Sequence, residues 1–481
     1  NLLGVVLVGL VALYLGGALH TEVTERAIAL AGLGAVVLVL IAAPDLGLLF
    51  WMLLAPFGTL FNLAQGSGLP DLSLNRIASA VLVWVLIAQV ASGRRKLARL
   101  TAVEGWGILF VLALIVSIGT SRLGWIWGIQ VVFDAVVLPL LCFYLARNLF
   151  TDRRQLVWLA VLFAVLGATL GIITVREQLT NQAILSPLPY RMSYGQHSIK
   201  VTSLFGAPAA MAMTLAVTLP IVFVAATRSS RLGARLGWLA ALLAIGGGLI
   251  ATYVRAGWLA AVAGIVVVVL LSRRARPAGL LLLLIVLFAA LIFGGGLADT
   301  QAIEERLQSE GSIIYRLQAL STGLDIAAES PWWGLGLDNY SDAAAAAGWQ
   351  PRRSNATLAI APHNMFIYVL TSAGIVALVP FVAQLVAAGW RGWRTLRRSH
   401  RDGAVDRATG AGDGDWAAAA IAMLVGYALV ISTFDSITAQ FATILFWMSL
   451  GALFGATGRR PLDRQGPRHA LQRAVHEEEK H

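Results

Sequence analysis

The chain has 481 residues, of which 58% are hydrophobic and only 13% charged, and its formal net charge is +11. A water-soluble domain has roughly 25% charged residues, so a composition this apolar belongs in lipid. The positive charge sits in short clusters between apolar runs, which is the pattern that sets membrane topology and not that of a nucleic-acid-binding face. The single cysteine, Cys142, excludes an internal disulfide and a thiol metal cluster.

Apolar runs of about 17–25 residues recur along the chain, each long enough to cross a ~30 Å hydrocarbon core. Runs this continuous can satisfy their backbone groups in lipid only as helices. Spans are predicted near 2–19, 27–43, 46–63, 75–91, 105–120, 129–149, 155–175, 205–226, 236–253, 256–272, 278–297, 364–389, 415–432 and 437–456. Residues 2–17 read as an ordinary first span and not as a cleavable signal. Because the chain begins at Asn1, a short preceding segment is expected. Pro44 and Pro56 interrupt the 27–63 region, which reads either as two spans or as one span plus a re-entrant piece. The predicted fold is all-α, a polytopic membrane bundle of about 12–14 transmembrane helices with one large external loop. The division follows: membrane helices within 1–298, the loop at 299–362, C-terminal membrane helices within 363–458 and a charged tail at 459–481.

Six basic clusters, around Arg95, Arg153, Arg231, Arg274, Arg397 and Arg459, are separated by pairs of spans. They share one side, which the positive-inside rule makes the cytoplasm, with both termini there. The loops near 176–204 and 299–362 then lie outside. In the larger loop, Ile303, Leu307, Ile314 and Leu317 recur at helical spacing. Pro331-Trp332-Trp333-Gly334-Leu335-Gly336 reads as a turn, and residues 343–347 favour helix.

Several residues stand out for their chemistry. His363 closes the large loop where it runs back into apolar sequence, so it can be half buried and still reach water, where its charge is sensitive to its surroundings. The same loop carries Arg306, Arg316, Arg352 and Arg353. A base beside several permanent cations points to an anionic substrate at a membrane surface. Arg255 interrupts nearly continuous apolar sequence; it reads either as an anchor that snorkels to the interface or as a cation facing a cavity. Arg316 reads as a solvated helix residue or as a fork for phosphate oxygens. Asn364 either caps the next helix or orients a sugar hydroxyl. Trp332 and Trp333 fit an interfacial belt or a stacking platform for a sugar ring. No His-Glu-x-x-His, phosphate-binding Gly-Lys-Ser/Thr loop or spaced carboxylate pair is present, which argues against zinc proteolysis, ATP-driven transport and a divalent-metal site.

In order, the chain carries Thr252-Tyr253-Val254-Arg255-Ala256-Gly257-Trp258, an external arginine, Pro-Trp-Trp-Gly-Leu-Gly-Leu-Asp-Asn-Tyr from Pro331 to Tyr340, His363-Asn364, and Gly374-Ile375. This order resembles the bacterial O-antigen ligase and O-antigen polymerase superfamily, most strongly over about residues 200–390. Members commonly carry serine where Val254 stands, which leaves Arg255 but no hydroxyl. The resemblance implies a glycosyltransferase of the C-type architecture in the bacterial cytoplasmic (inner) membrane, working without metal or other cofactor. Such an enzyme passes a glycan from a polyprenyl (undecaprenyl) diphosphate carrier to a hydroxyl on the outer face, as O-antigen ligase or polysaccharide polymerase, with inversion. The acceptor is a growing glycan, a lipid A-core sugar or another saccharide. By position in the motifs, His363 is the catalytic residue that orients or deprotonates that hydroxyl. Arg255 and Arg316, with Arg191 and Lys200 from the other loop, bind diphosphate. Asn364, Trp332, Trp333 and Tyr340 contact sugar, with Tyr194, Gln196 and His197 as weaker candidates. The competing reading is a lipid-linked oligosaccharide flippase or polysaccharide exporter, which would be expected to show related halves; no such repeat is visible.

Overall fold

The computed structural model describes residues 22–57, 73–180, 203–205, 207–298, 310–348, 362–401, 413–434, 437 and 439–458. Every regular element among them is helical. Nine of these helices are long and apolar enough to cross a membrane, so the chain is an all-α, multi-pass membrane protein. The expected span at 2–19, the tail at 459–481, and Arg191, Lys200, Tyr194, Gln196, His197, Arg306, Arg352 and Arg353 lie outside the described residues.

Pro44 divides the first apolar region into α1 (Glu22–Ala42) and α2 (Pro44–Leu54). The two pack so closely that a methyl group on Gly47 would lie 2.6 Å from Leu40 Cα. With its terminal turn α2 is described as far as Phe57; the two expectations for 27–63 differ in residues 58–63, which lie outside the described residues. Next come α3 (Leu74–Ala91), α4 (Ala102–Ser117), α5 (Gly124–Val132) and α6 (Leu138–Leu149). A π-helical turn at Phe133–Val137 joins α5 to α6 into one span. Within that turn Asp134 receives two hydrogen bonds from Arg76, at 3.0 Å and 2.6 Å, an ion pair that neither residue's sequence context announced.

The rest of the bundle is α7 (Arg153–Thr180), α8 (Pro208–Arg228), α9 (Leu232–Ala251), α10 (Arg255–Leu271), α11 (Arg276–Ala298), α12 (Glu310–Glu329), α13 (Tyr340–Ala346), α14 (Met365–Arg401), α15 (Asp413–Ile431) and α16 (Gln440–Gly458). Local chemistry starts several of them. Thr101 and Glu104 form a capping box for α4. Pro208 opens α8, where its missing N–H costs nothing. The structure extends two helices past their expected ends: α7 continues to Thr180, and α14 runs 37 residues, about 55 Å. The Arg391-to-Arg401 cluster is therefore the solvent-side turns of a helix, made of residues that favour helix.

The core lies along α8 and α16, each with 89% of its apolar window buried. Gly451 and Gly455, four residues apart on α16, let it approach α6 closely. A methyl at Gly451 would lie 2.2 Å from Phe143 O, and one at Gly455 2.4 Å from Phe150 O. Such small-residue notches are how helices associate when lipid supplies no hydrophobic driving force. On the outside, Trp84, Ile126 and Leu243 are 71%, 70% and 68% exposed, apolar surface that only acyl chains would cover.

The helices alternate so that the bundle has two chemically distinct ends. At the basic end Arg147 pairs with Glu104 at 2.6 Å, Arg153 with Asp413 at 2.7 Å, and Arg228 with Asp415 at 3.1 Å. Asp415 also accepts from the Ser272 hydroxyl at 2.6 Å. The basic clusters read as topology signals thus also tie α4 to α6, and α15 to α7, α8 and α10. At the opposite end, here the loop end, Phe205 stacks on Phe441 with ring centroids 5.4 Å apart, and Asn364 reaches Ser432.

Glu104 and Arg147 are 2% and 4% exposed. Breaking such a pair strands a charge, at about 3–5 kcal/mol, whereas replacing both partners by apolar groups of similar size is often nearly neutral. Arg147→Met is expected to lower the thermal unfolding midpoint of the purified protein sharply. The double variant Glu104→Leu/Arg147→Met is expected to recover most of that loss; a double variant no more stable than the single one would contradict this assignment.

Candidate functional site

The loop end is built around a break in α14. Gly374 sits inside that helix with φ 67° and ψ −168°, a backbone state open to glycine and costly for other residues. The break frees the carbonyls of Thr371 and Ser372 and the N–H groups of Ile375 and Val376. The 331–337 turn takes them all. Leu335 N–H donates to Thr371 O at 2.8 Å and Gly336 N–H to Ser372 O at 3.0 Å, while Ile375 and Val376 N–H donate to Pro331 O at 2.8 Å and Trp332 O at 3.3 Å. A buried backbone group without a partner is what a membrane protein cannot tolerate, and here a loop inserts its own backbone to supply the partners. Gly334, with φ +68°, permits the approach: a methyl there would lie 2.6 Å from Ala373 N.

The turn is clasped from a second side by the 118–123 connection between α4 and α5. Leu337 N–H donates to Ser117 O at 3.3 Å. Ser121 Oγ donates to Leu337 O at 2.7 Å. Asn339 Nδ2 donates to Thr120 O at 2.8 Å. Arg122 bridges Asp338 at 3.1 Å and Asp342 at 2.8 Å. Burial pulls the Arg122 pKa down, but the two carboxylates outweigh it and raise it above the usual arginine value.

A small satellite core then positions Arg316. Ile326, Tyr340, Ala344 and Ile367 pack together, and the Tyr340 hydroxyl donates to Ala319 O at 2.8 Å. Gly323 lets α12 lie against α14, since a methyl there would come within 2.4 Å of Ile367 Cγ2. Tyr340 is only 3% exposed, so its phenol holds α12, one turn from Arg316, and does not face solvent.

Arg255 opens α10 at the same end. Its hairpin is shaped by Thr252, whose hydroxyl donates to Leu249 O at 2.7 Å, by Trp258 Nε1, which donates to Leu249 O at 2.8 Å, and by Tyr253 at φ 53°. Arg255 and Arg316 come from separate elements and act on each other: partial desolvation first, and the positive charge of Arg255 second, lower the Arg316 pKa from the usual arginine value. Arginine stays charged, so both side chains remain hydrogen-bond donors there.

His363 is half buried and held at φ 47°, a state uncommon for a residue with a side chain. Asn364 caps α14: its Oδ1 accepts from Phe366 N at 2.9 Å and Ile367 N at 3.2 Å, and its Nδ2 donates to Ser432 O at 2.9 Å. The cap ties the start of α14, next to His363, to the residue after α15. Trp332 and Trp333 project outward, 63% and 61% exposed. Among the described residues no group of three His, Cys, Asp or Glu side chains could hold a metal ion.

Residues 239–382 match the O-antigen ligase family. The chain carries an O-antigen ligase domain, as its motif order led us to expect. The ligase domain runs from within α9 to just beyond Gly374, so it contains Arg255, Arg316, the 331–337 turn and His363. No curated protein sequence matches the chain. The motif order pointed to these residues but not to Arg122, Asp338 and Asp342 as a clasp, nor to the helix break. The only sequence signal for the break was the co-occurrence of two glycine-bearing motifs far apart in the chain.

A methyl at Gly374 would lie 2.1 Å from Trp332 O. Gly374→Ala is expected to lower the thermal unfolding midpoint. Gly237→Ala, where a methyl meets nothing within 4 Å, is expected to be neutral or to stabilise by about 0.5–1 kcal/mol. Equal midpoints for the two variants would show that the junction carries no stability.

Proposed function

We propose that the chain transfers a glycan from a polyprenyl diphosphate carrier to a saccharide hydroxyl. The observation that carries this reading is the match of residues 239–382 to the O-antigen ligase family, a stretch that holds Arg255, Arg316 and His363 at one end of the bundle. Guanidinium groups bind phosphate oxygens in pairs, and a diphosphate on a lipid tail suits a bundle end. The ligase domain supports O-antigen ligase or polymerase chemistry in general.

In the proposed reaction the acceptor oxygen attacks the anomeric carbon as the bond from that carbon to the diphosphate oxygen breaks. The diphosphate leaves with the bonding electron pair, and Arg255 and Arg316 stabilise the charge that develops on it. His363 orients the acceptor hydroxyl and takes its proton. Attack opposite the leaving group inverts the anomeric centre. Trp332 and Trp333 offer exposed aromatic faces to the sugar, while Asn364 and Tyr340 act through the scaffold, by holding His363 and α12. The loop end faces outward from the cytoplasmic membrane and the basic end faces the cytoplasm.

Arg255→Ala and Arg316→Ala are each expected to cut transfer by about two decades or more while the protein still accumulates in the membrane, and Arg→Lys should rescue poorly because the planar fork is lost. His363→Ala is expected to cut turnover by about 10²–10⁴-fold with donor affinity nearly intact. Wild-type transfer by the double arginine variant would remove the diphosphate assignment, and normal turnover by His363→Ala would remove the base. For orientation, cysteines placed at positions 342 and 397 in a Cys142→Ser background should react with an impermeant reagent at 342 only in intact cells; the reverse pattern would invert the topology.

A further inference from the structure

The connection between α3 and α4, at the basic end, carries chemistry that the proposed reaction does not use. Residues 95–100 there form no regular element, yet α6 fixes their backbone. Ala98 N–H donates to Asn148 Oδ1 at 2.7 Å, the Tyr144 hydroxyl to Ala98 O at 3.3 Å, and Arg147 Nη2 to Arg99 O at 2.9 Å. The Arg95 side chain donates to Asn148 O. Asn148 is fully buried and Arg147 nearly so. The segment is therefore a fixed edge of the bundle. Arg94, Lys96 and Arg99 are exposed along it, and among them Leu97 is 45% exposed and Leu100 61%.

The last turns of α14 extend this edge. α4 ends at the loop end and α14 begins there, so the two run antiparallel. They touch where a methyl on Gly107 would lie 2.7 Å from Gln384 Nε2. Thr101 is six residues from that contact and Arg391 seven, so both stand about 9–10 Å nearer the basic end. Arg391 lies over the Phe454 ring, 5.1 Å from its centroid, and within the field of Arg147, Glu104 and Arg398. Arg147 and Glu104 neutralise each other, which leaves cations in excess. Trp390 beside Arg391 is exposed, as is Arg394 one turn on. Among the described residues no carboxylate stands at ion-pair distance from Arg94, Lys96, Arg99, Arg391 or Arg394.

Exposed leucines and exposed cations thus share one short edge where the spans leave the hydrocarbon. A soluble polyanion would take the charge and leave Leu97 and Leu100 in water. A lipid covers both, because its acyl chains meet the leucines while its phosphate meets cations that snorkel up to it. We propose that residues 94–100, with Arg391 and Arg394 of α14, form a docking surface for acidic phospholipid headgroups in the leaflet at the basic end. Each cation close to such a surface strengthens binding about five-fold.

The probe is phosphatidylglycerol, with zwitterionic phosphatidylcholine as reference. Each is titrated into the purified full chain in detergent, and the tightest-bound lipid is followed by native mass spectrometry. The chain should hold phosphatidylglycerol about ten-fold or more tightly than phosphatidylcholine, with the preference shrinking as ionic strength rises. Lys96→Gln/Arg99→Gln should lose about ten-fold or more of the phosphatidylglycerol affinity. Arg231→Gln/Arg273→Gln removes the same charge from exposed arginines elsewhere at that end and should change it less than about two-fold. Leu97→Ser/Leu100→Ser should weaken both lipids. Thermal unfolding midpoints in lipid-free detergent should match across these variants, since every substituted side chain is exposed; if the Lys96/Arg99 variant unfolds, Lys96→Gln alone should still lose about five-fold. Equal affinity for the two lipids, equal losses in the two charge variants, or unchanged binding in the leucine variant would overturn the docking surface.

Discussion

A membrane helix that breaks at Gly374 exposes backbone groups that lipid cannot satisfy, and the 331–337 turn satisfies them. Much of the loop end follows from that exchange. A break alone would leave two carbonyls and two N–H groups without partners, each costing several kcal/mol in hydrocarbon. A turn alone would be a mobile surface feature. Together they make a short ladder of backbone bonds between a loop and a transmembrane helix, so the loop takes its position from the bundle. The requirement for glycine on both sides, at Gly334 and Gly374, comes from backbone approaching backbone.

The positions of the charged side chains are downstream of this junction. Because the turn is pinned to α14, residues 338–342 come within reach of Arg122, and the clasp closes the turn from the α4–α5 side. Because Tyr340 then points inward to Ala319, α12 is fixed beside α14, and Arg316 with it. The same α14 begins at the Asn364 cap, which is tied to Ser432 beyond α15, and His363 beside it is held in a strained backbone state. Strain of this kind persists only where the surroundings over-determine it. Tyr253, Asp338 and His363, the non-glycine residues with positive φ among those described, all lie at the loop end.

Much of the fold was legible in the sequence because lipid imposes one strong rule, that a span is a long apolar run. The predicted runs near 75–91, 236–253 and 437–456 agree with α3, α9 and α16 to within a few residues. Where apolarity stopped being informative, legibility stopped. The end of α7 was read as loop because Glu177 and Gln178 are polar, although polar residues can continue a helix whose neighbours enclose them. The π-helical turn at Asp134 was invisible because a one-residue insertion leaves the apolar pattern nearly unchanged. At the candidate site, Arg255, Arg316 and His363 were picked out by motif order, and capping by Asn364 was one of two readings its position allowed. The anchoring of α12 by Tyr340 was not legible, because the partner of a buried phenol depends on where the next helix lies. Periodicity does not say that.

Both ends of the bundle concentrate arginines, and the partners that hold them differ. At the basic end Arg147, Arg153 and Arg228 each have a carboxylate at ion-pair distance. Those pairs tie α4 to α6, and α15 to α7 and α8. At the loop end α10 and α12 also bring one arginine within the field of another, and Asp338 and Asp342 are turned to Arg122. In the reaction proposed above, a polyanion on a lipid placed beside Arg255 and Arg316 would bind most tightly as its charge grows when the bond to the sugar breaks, which is the condition for lowering a barrier and not merely for holding a ligand.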